Sequence, residues 1–105
     1  MAKILVIDDS KLIVHVARSI LGKIGHSVLS ADTGEKGLET ALREYPDLIL
    51  LDLILPGIDG YEVCRQLKQN PDTEDIAVIM VTSKSESADK VKGLEMGASD
   101  YVTKP

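Results

Sequence analysis

A single cysteine, Cys64, stands in a chain of 105 residues. One thiol excludes an internal disulfide and a zinc cluster built on several thiolates. Long apolar runs are also missing. Segments such as Leu48–Leu51 fall far short of the roughly 20 residues a spanning helix needs. Met1-Ala-Lys leads directly into a strand-like segment, without the pattern of a secretory signal. Positive charge is in the minority, with 12 Lys+Arg against 17 Asp+Glu and a net charge of −5. Phosphate neutralisation needs clustered cations, so direct nucleic-acid binding is not expected. The expectation is one soluble, cytoplasmic, acidic domain, for which 44% hydrophobic residues supply a core.

The apolar pattern switches repeatedly between short continuous runs and helical spacing. Ile4–Ile7 is β-branched and ends in Asp8-Asp9. From Ser10 onward Leu12, Ile13, Val16, Ala17, Ile20, Leu21 and Ile24 fall on one helical face, with Ser10 or Asp9 as N-cap and Gly25 as stop. His26–Ala31 reads as a second strand. Thr33 caps a helix along Leu38, Ala41, Leu42 and Tyr45, closed by Pro46. Leu48–Leu51 is a third strand, ending at Asp52. Asp59 opens a helix that turns Val63, Cys64 and Leu67 inward and breaks at Asn70-Pro71-Asp72. Ile76–Val81 leads to Thr82, a helix through Val91 and Leu94 stops at Gly97, and Tyr101–Thr103 begins a fifth strand.

Strands alternating with helices predict a parallel sheet, since each right-handed crossover needs a returning helix. Wholly apolar strands are buried on both faces, so helices flank both sides. The fold class is therefore α/β, a doubly wound five-stranded parallel sheet forming one domain over residues 1–105.

Ligand sites in such sheets lie beyond the carboxyl ends of the strands. Those ends carry Asp8 and Asp9, Asp52, Thr82 and Lys104. Two carboxylates about 5 Å apart repel by roughly 3 kcal/mol at an effective dielectric near 20. Several such pairs rival a domain's whole stability of about 5–15 kcal/mol. Three ionised aspartates need a cation, or one of them must keep its proton. Lys104 alone is insufficient. A hard divalent ion suits oxygen donors, and Mg²⁺ uses few carboxylates while keeping several waters. The rim reads as a partly filled Mg²⁺ site with room for a phosphate.

The segments Ile4-Leu-Val-Ile-Asp-Asp9, Asp52-Leu-Ile-Leu-Pro-Gly-Ile-Asp-Gly60, Val81-Thr-Ser83 and Gly97-Ala-Ser-Asp-Tyr-Val-Thr-Lys-Pro105 resemble the receiver domain of two-component response regulators. Each motif alone is weak, but four in order along nearly the whole chain are specific. The resemblance implies the flavodoxin-like strand order 2-1-3-4-5, the order of a chemotaxis member of the family. It implies that Asp52 is the phosphoacceptor, taking a phosphoryl group from a sensor histidine kinase or a histidine phosphotransfer protein. Asp9, Asp52 and the Ile54 carbonyl would ligate Mg²⁺ (or Mn²⁺), with Asp8 acting through water. Thr82 and Lys104 would contact the phosphoryl oxygens, and Tyr101 would follow Thr82 in a population shift read by an output domain or effector around Lys90–Tyr101.

The resemblance also implies a final helix after the Lys-Pro pair, whereas this sequence ends at Pro105. Its absence predicts partly exposed side chains on the first, third and fifth strands, reduced stability or a homodimer, and weakly fixed Lys104 placement. The Lys104-Pro105 bond is cis in the family. Asp59-Gly60 reads as a cap and turn, Cys64 as a buried small hydrophobe, and His15 and His26 as surface or internally satisfied residues. The alternative function is a pseudo-receiver that binds partners without phosphorylation, but the acids, hydroxyl and lysine are all present. A haloacid-dehalogenase-type hydrolase would need Asp-X-Asp-X-Thr at a strand end, which neither Asp8-Asp9-Ser10 nor Asp52-Leu53-Ile54 supplies. The chain is expected to be a phosphoacceptor, with slow self-dephosphorylation as its only turnover.

Overall fold

The computed structural model describes residues 2–82 and 100–103. Within them the chain runs β1 (Lys3–Ile7), α1 (Lys11–Lys23), β2 (Ser27–Ala31), α2 (Gly34–Glu44), β3 (Leu48–Leu51), α3 (Gly60–Gln69), β4 (Ala77–Thr82) and β5 (Asp100–Thr103). All strand pairs are parallel, and the sheet order is β2-β1-β3-β4-β5. The expected helix through Val91 and Leu94, and the Lys104-Pro105 bond, lie outside the described residues.

Each described helix starts where its sequence offers a side-chain cap. Ser10, Thr33 and Asp59 sit in extended conformation and accept from the backbone N–H groups of Ile13, Lys36 and Glu62. These bonds satisfy amides that have no partner within the helix. The α1 end passes into Gly25 at φ 93°, a left-handed turn that glycine adopts without a Cβ penalty.

Side chains alternate across the strands. Leu5 and Ile7 of β1, Ile49 and Leu51 of β3, and Val78 and Met80 of β4 form one core with Ala41 of α2 and Tyr61, Val63, Cys64 and Leu67 of α3. Small residues allow α2 to approach closely. At Gly37 a Cβ would stand 2.4 Å from Ile7 Cδ1, so the helix rests directly on β1. Its buried residues are Gly34, Gly37, Thr40 and Ala41, whereas Leu42 and Tyr45, two of the apolar positions along the helix, are exposed. The approach to β1 selects the small face, and a hydropathy pattern does not register glycine as core.

A second correction concerns the uncovered surface. β1 is buried from Ile4 to Ile7, against the expected partial exposure, whereas Leu48 and Leu50 of β3 are half-buried and Val102 of β5 is 47% exposed, as expected. The largest exposure falls on and just after α1, where Leu12, Val16, Ile20 and Ile24 are 69%, 43%, 59% and 67% exposed. Ile13, Ala17 and Leu21 are half-buried, and no α1 residue is fully buried. The apolar face of α1 thus divides into a flank turned toward the sheet and a stripe turned outward.

On α3, Arg65 Nε donates to Glu62 Oε1 at 2.9 Å, and Gln66 donates to Glu62 Oε2 at 2.7 Å. These donors hold the Glu62 carboxyl at about 2, well below the usual carboxylate range. A lowered folded value means that the contribution is complete above the ordinary carboxylate range and is lost as pH falls toward 2. In an NMR titration Glu62 should remain ionised at pH 3, and Arg65→Ala should move its midpoint upward. Burial raises the Cys64 thiol, although Lys68 opposes the shift. The thiol therefore stays protonated and packs as a small hydrophobe.

Candidate functional site

Register places the acids. Ile7 pairs with Leu51, so Asp8 and Asp52 leave neighbouring strands at the same level. Two further backbone bonds extend the ladders beyond the strand ends. Asp52 N–H donates to the Ile7 carbonyl at 2.9 Å, and Asp8 N–H to the Ala31 carbonyl at 3.0 Å. The main chain at both acids is therefore fixed by the sheet.

Asp8 and Asp52 are buried, at 3% and 6% exposure, and Asp9 is exposed. One potential ligand atom from each of the three lies within 4.8 Å of the others. Asp8 Oδ1 accepts from Ser10 N–H at 2.9 Å, and Asp52 Oδ1 accepts from Ile54 N–H at 3.4 Å. Those bonds orient both carboxylates toward the common rim. A cavity of about 330 Å³, bounded in part by Asp8, Asp9, Lys11, His15 and Arg18, opens beside them.

The donor set fits a hard divalent cation. It consists of carboxylate oxygens only, close enough to share an ion and incompatible with a soft-metal site, which would call for thiolate. Ile54 lies on the loop leaving Asp52 and is 54% exposed.

The remaining expected residues are placed less completely. Leu51 pairs with Met80, and Thr82 pairs with Thr103. Thr82 is therefore two residues beyond Met80 on the strand beside Asp52. Tyr101 pairs with Met80 from β5. Lys104 lies outside the described residues, as does most of the Lys90–Tyr101 segment. His26 is internally satisfied, its Nδ1 accepting from Ala2 N–H at 2.9 Å, while His15 is exposed.

Two contributors to the site carry only a faint sequence signal. Asp59-Gly60 is the cap and turn expected from its residues, but Gly60 also packs on the main chain of Asp52. A Cβ at Gly60 would stand 2.3 Å from the Asp52 carbonyl oxygen and 2.8 Å from Leu53 Cα. Glu35, in the first turn of α2, reaches the β3–α3 loop and accepts from Ile58 N–H at 3.3 Å. Only the Gly within Asp-Gly hinted at the first contact, and nothing in the pattern pointed to the second.

This geometry joins buried acids to the carboxyl edge of a doubly wound sheet, the arrangement of a phosphoryl-accepting regulator. The chain belongs to the response regulator receiver domain family, whose model matches residues 4–105. It is 44% identical over 105 residues to the protein PilH of Pseudomonas aeruginosa, covering 100% of this chain and 87% of that protein. It is 48% identical over 103 residues to the alkaline phosphatase synthesis transcriptional regulatory protein PhoP of Bacillus subtilis, covering 98% of this chain but 42% of PhoP. Among solved structures, the Mn²⁺-bound form of response regulator Rcp1 superposes with a TM-score of 0.90 at 32% identity, covering 100% of this chain and 82% of Rcp1. The chain is thus a receiver domain of two-component response regulators. Among the described residues, no helix is long and apolar enough to cross a membrane.

Proposed function

We propose that this receiver takes a phosphoryl group from a phosphohistidine partner onto Asp52 and passes the signal on as a change in partner affinity. The observation carrying this reading is the convergence of Asp8, Asp9 and Asp52, with ligand atoms within 4.8 Å of one another. Asp52 is assigned as acceptor by its match to the family motif, and its place just beyond the strand between β1 and β4, close to Asp8 and Asp9, supports that assignment. Asp9, Asp52 and the Ile54 carbonyl would hold Mg²⁺ or Mn²⁺, with Asp8 acting through a water. When bound, the ion supplies positive charge that offsets both the attacking carboxylate and the phosphoryl oxygens.

Attack by an Asp52 carboxylate oxygen on phosphorus forms the aspartyl phosphate and releases the neutral histidine of the donor. The sheet holds Asp52 by its main chain, so reaction requires little reorganisation of the acceptor. Thr82 and Lys104 are assigned to the phosphoryl oxygens, and Tyr101 to the coupled conformational step. The partners are a sensor histidine kinase or phosphotransfer protein upstream and an output domain or effector downstream, in the cytoplasm. A second copy is a further candidate partner, for which the outward stripe of α1 offers apolar area.

The test is intact-mass measurement after exposure to a small phosphodonor. A single labile adduct is expected with Mg²⁺ and not with chelator, and Asp52→Asn should abolish it. An unchanged adduct in Asp52→Asn would reassign the acceptor. For the switch, Thr82→Ala should still be phosphorylated yet lose most of the phosphorylation-dependent change in partner affinity, as measured by titration calorimetry. Equal coupling in both proteins would remove Thr82 from the mechanism.

A further inference from the structure

The loop between β3 and α3 carries Ile54, and it is clasped from outside by the start of α2. Two contacts converge on Ile58. Its N–H donates to Glu35 Oε1 at 3.3 Å. Its side chain lies over Gly34, where a Cβ would stand 2.7 Å from Ile58 Cγ1 and also 2.6 Å from Val63 Cγ2. Next to it, Gly57 adopts φ 78°, and a Cβ there would come within 2.8 Å of Glu35 Oε2. The loop and the carboxylate therefore meet through a glycine in the left-handed region, a conformation other residues adopt at a cost. Glu35 is surface-exposed and, among the described residues, has this backbone amide as its partner and no cationic side chain, so charge pairing does not explain its position.

We infer that Glu35 is a positioning residue for the cation-binding loop, holding residues 54–58 through the Ile58 amide so that the Ile54 carbonyl is preset for the ion. The inference rests on the proposed ion site. Its logic is preorganisation: a loop fixed before binding loses less freedom on binding, and the ion binds more tightly. What Glu35 supplies is an acceptor oxygen aimed at one amide, which glutamine retains and alanine lacks.

The experiment compares wild type, Glu35→Gln and Glu35→Ala by Mn²⁺ titration followed by electron paramagnetic resonance, together with amide hydrogen exchange at Ile58. Glu35→Ala should weaken Mn²⁺ binding at least threefold and speed exchange at Ile58, with thermal midpoints near wild type. Glu35→Gln should recover most of both effects. Equal weakening in both variants would make the effect one of charge and overturn the inference, as would unchanged binding in Glu35→Ala. Failure of wild type itself to bind Mn²⁺ would overturn the ion site, and this inference with it. Wild-type binding with an indifferent Glu35→Ala overturns the inference alone.

Discussion

Gly60→Ala is expected to destabilise the domain by about 1–2 kcal/mol, read as a lowered urea midpoint with an unchanged slope. Alanine is ordinarily the better helix former by about 1 kcal/mol, so helix propensity alone gives the opposite sign. The clash decides the outcome. The new methyl would lie 2.3 Å from the Asp52 carbonyl oxygen and 2.8 Å from Leu53 Cα, and both are main-chain atoms that cannot rotate aside. Overpacking of this kind costs about 1–3 kcal/mol and sometimes more. Relief would have to come from moving α3 or the Asp52 main chain, so phosphoryl acceptance should fall along with stability. Gly22→Ala is the internal control. Gly22 lies within exposed α1, where a Cβ would meet nothing within 4 Å, and the substitution should gain up to about 1 kcal/mol. Opposite signs at these two helical glycines would separate close packing from propensity, whereas two gains would show that the Asp52–Gly60 approach carries no cost.

The second large effect changes sign with the ion. Three carboxylates with ligand atoms within 4.8 Å of one another repel by roughly 3 kcal/mol per pair at an effective dielectric near 20. Asp9 is the exposed member, and solvent screening reduces its share. Asp9→Asn should therefore raise stability in chelator by about 1–2 kcal/mol. Saturating Mg²⁺ should reverse the order. A ligand at a hundred times its Kd adds about 2.7 kcal/mol to the protein that binds it, and the variant loses that gain. Thermal melts of both proteins with and without Mg²⁺ should cross. Parallel shifts would mean that Asp9 takes no part in binding.

The sheet and its carboxyl-edge acids were readable from sequence because both arise from local patterns. Ile4–Ile7 and Leu48–Leu51 are short apolar runs that stop at acids, and parallel pairing then aligns their ends. Ser10, Thr33 and Asp59 announced the helix starts through capping chemistry that needs no tertiary context. What failed concerned which neighbour covers which face. Periodicity put Leu12, Val16, Ile20 and Ile24 with Ile13 and Leu21 on one helical face, but it measures only the direction of apolarity. Leu42 and Tyr45 are exposed for the same reason, since α2 meets β1 through Gly37 while Gly34 packs against Ile58 and Val63. Contacts such as Glu35 with Ile58 join residues distant in sequence through one hydrogen bond and leave no period behind.

Asp8 and Asp52 stand on strands that become neighbours only after the chain has crossed β2 and α2. Non-local pairing of this kind pays its loop-closure entropy before its contacts form, which makes it slow compared with helical bundles. The centre thus has no partial version during synthesis. A nascent chain ending before Leu48 already displays Asp8 and Asp9, and the three-acid cluster is completed only once β3 docks and brings Asp52 beside them.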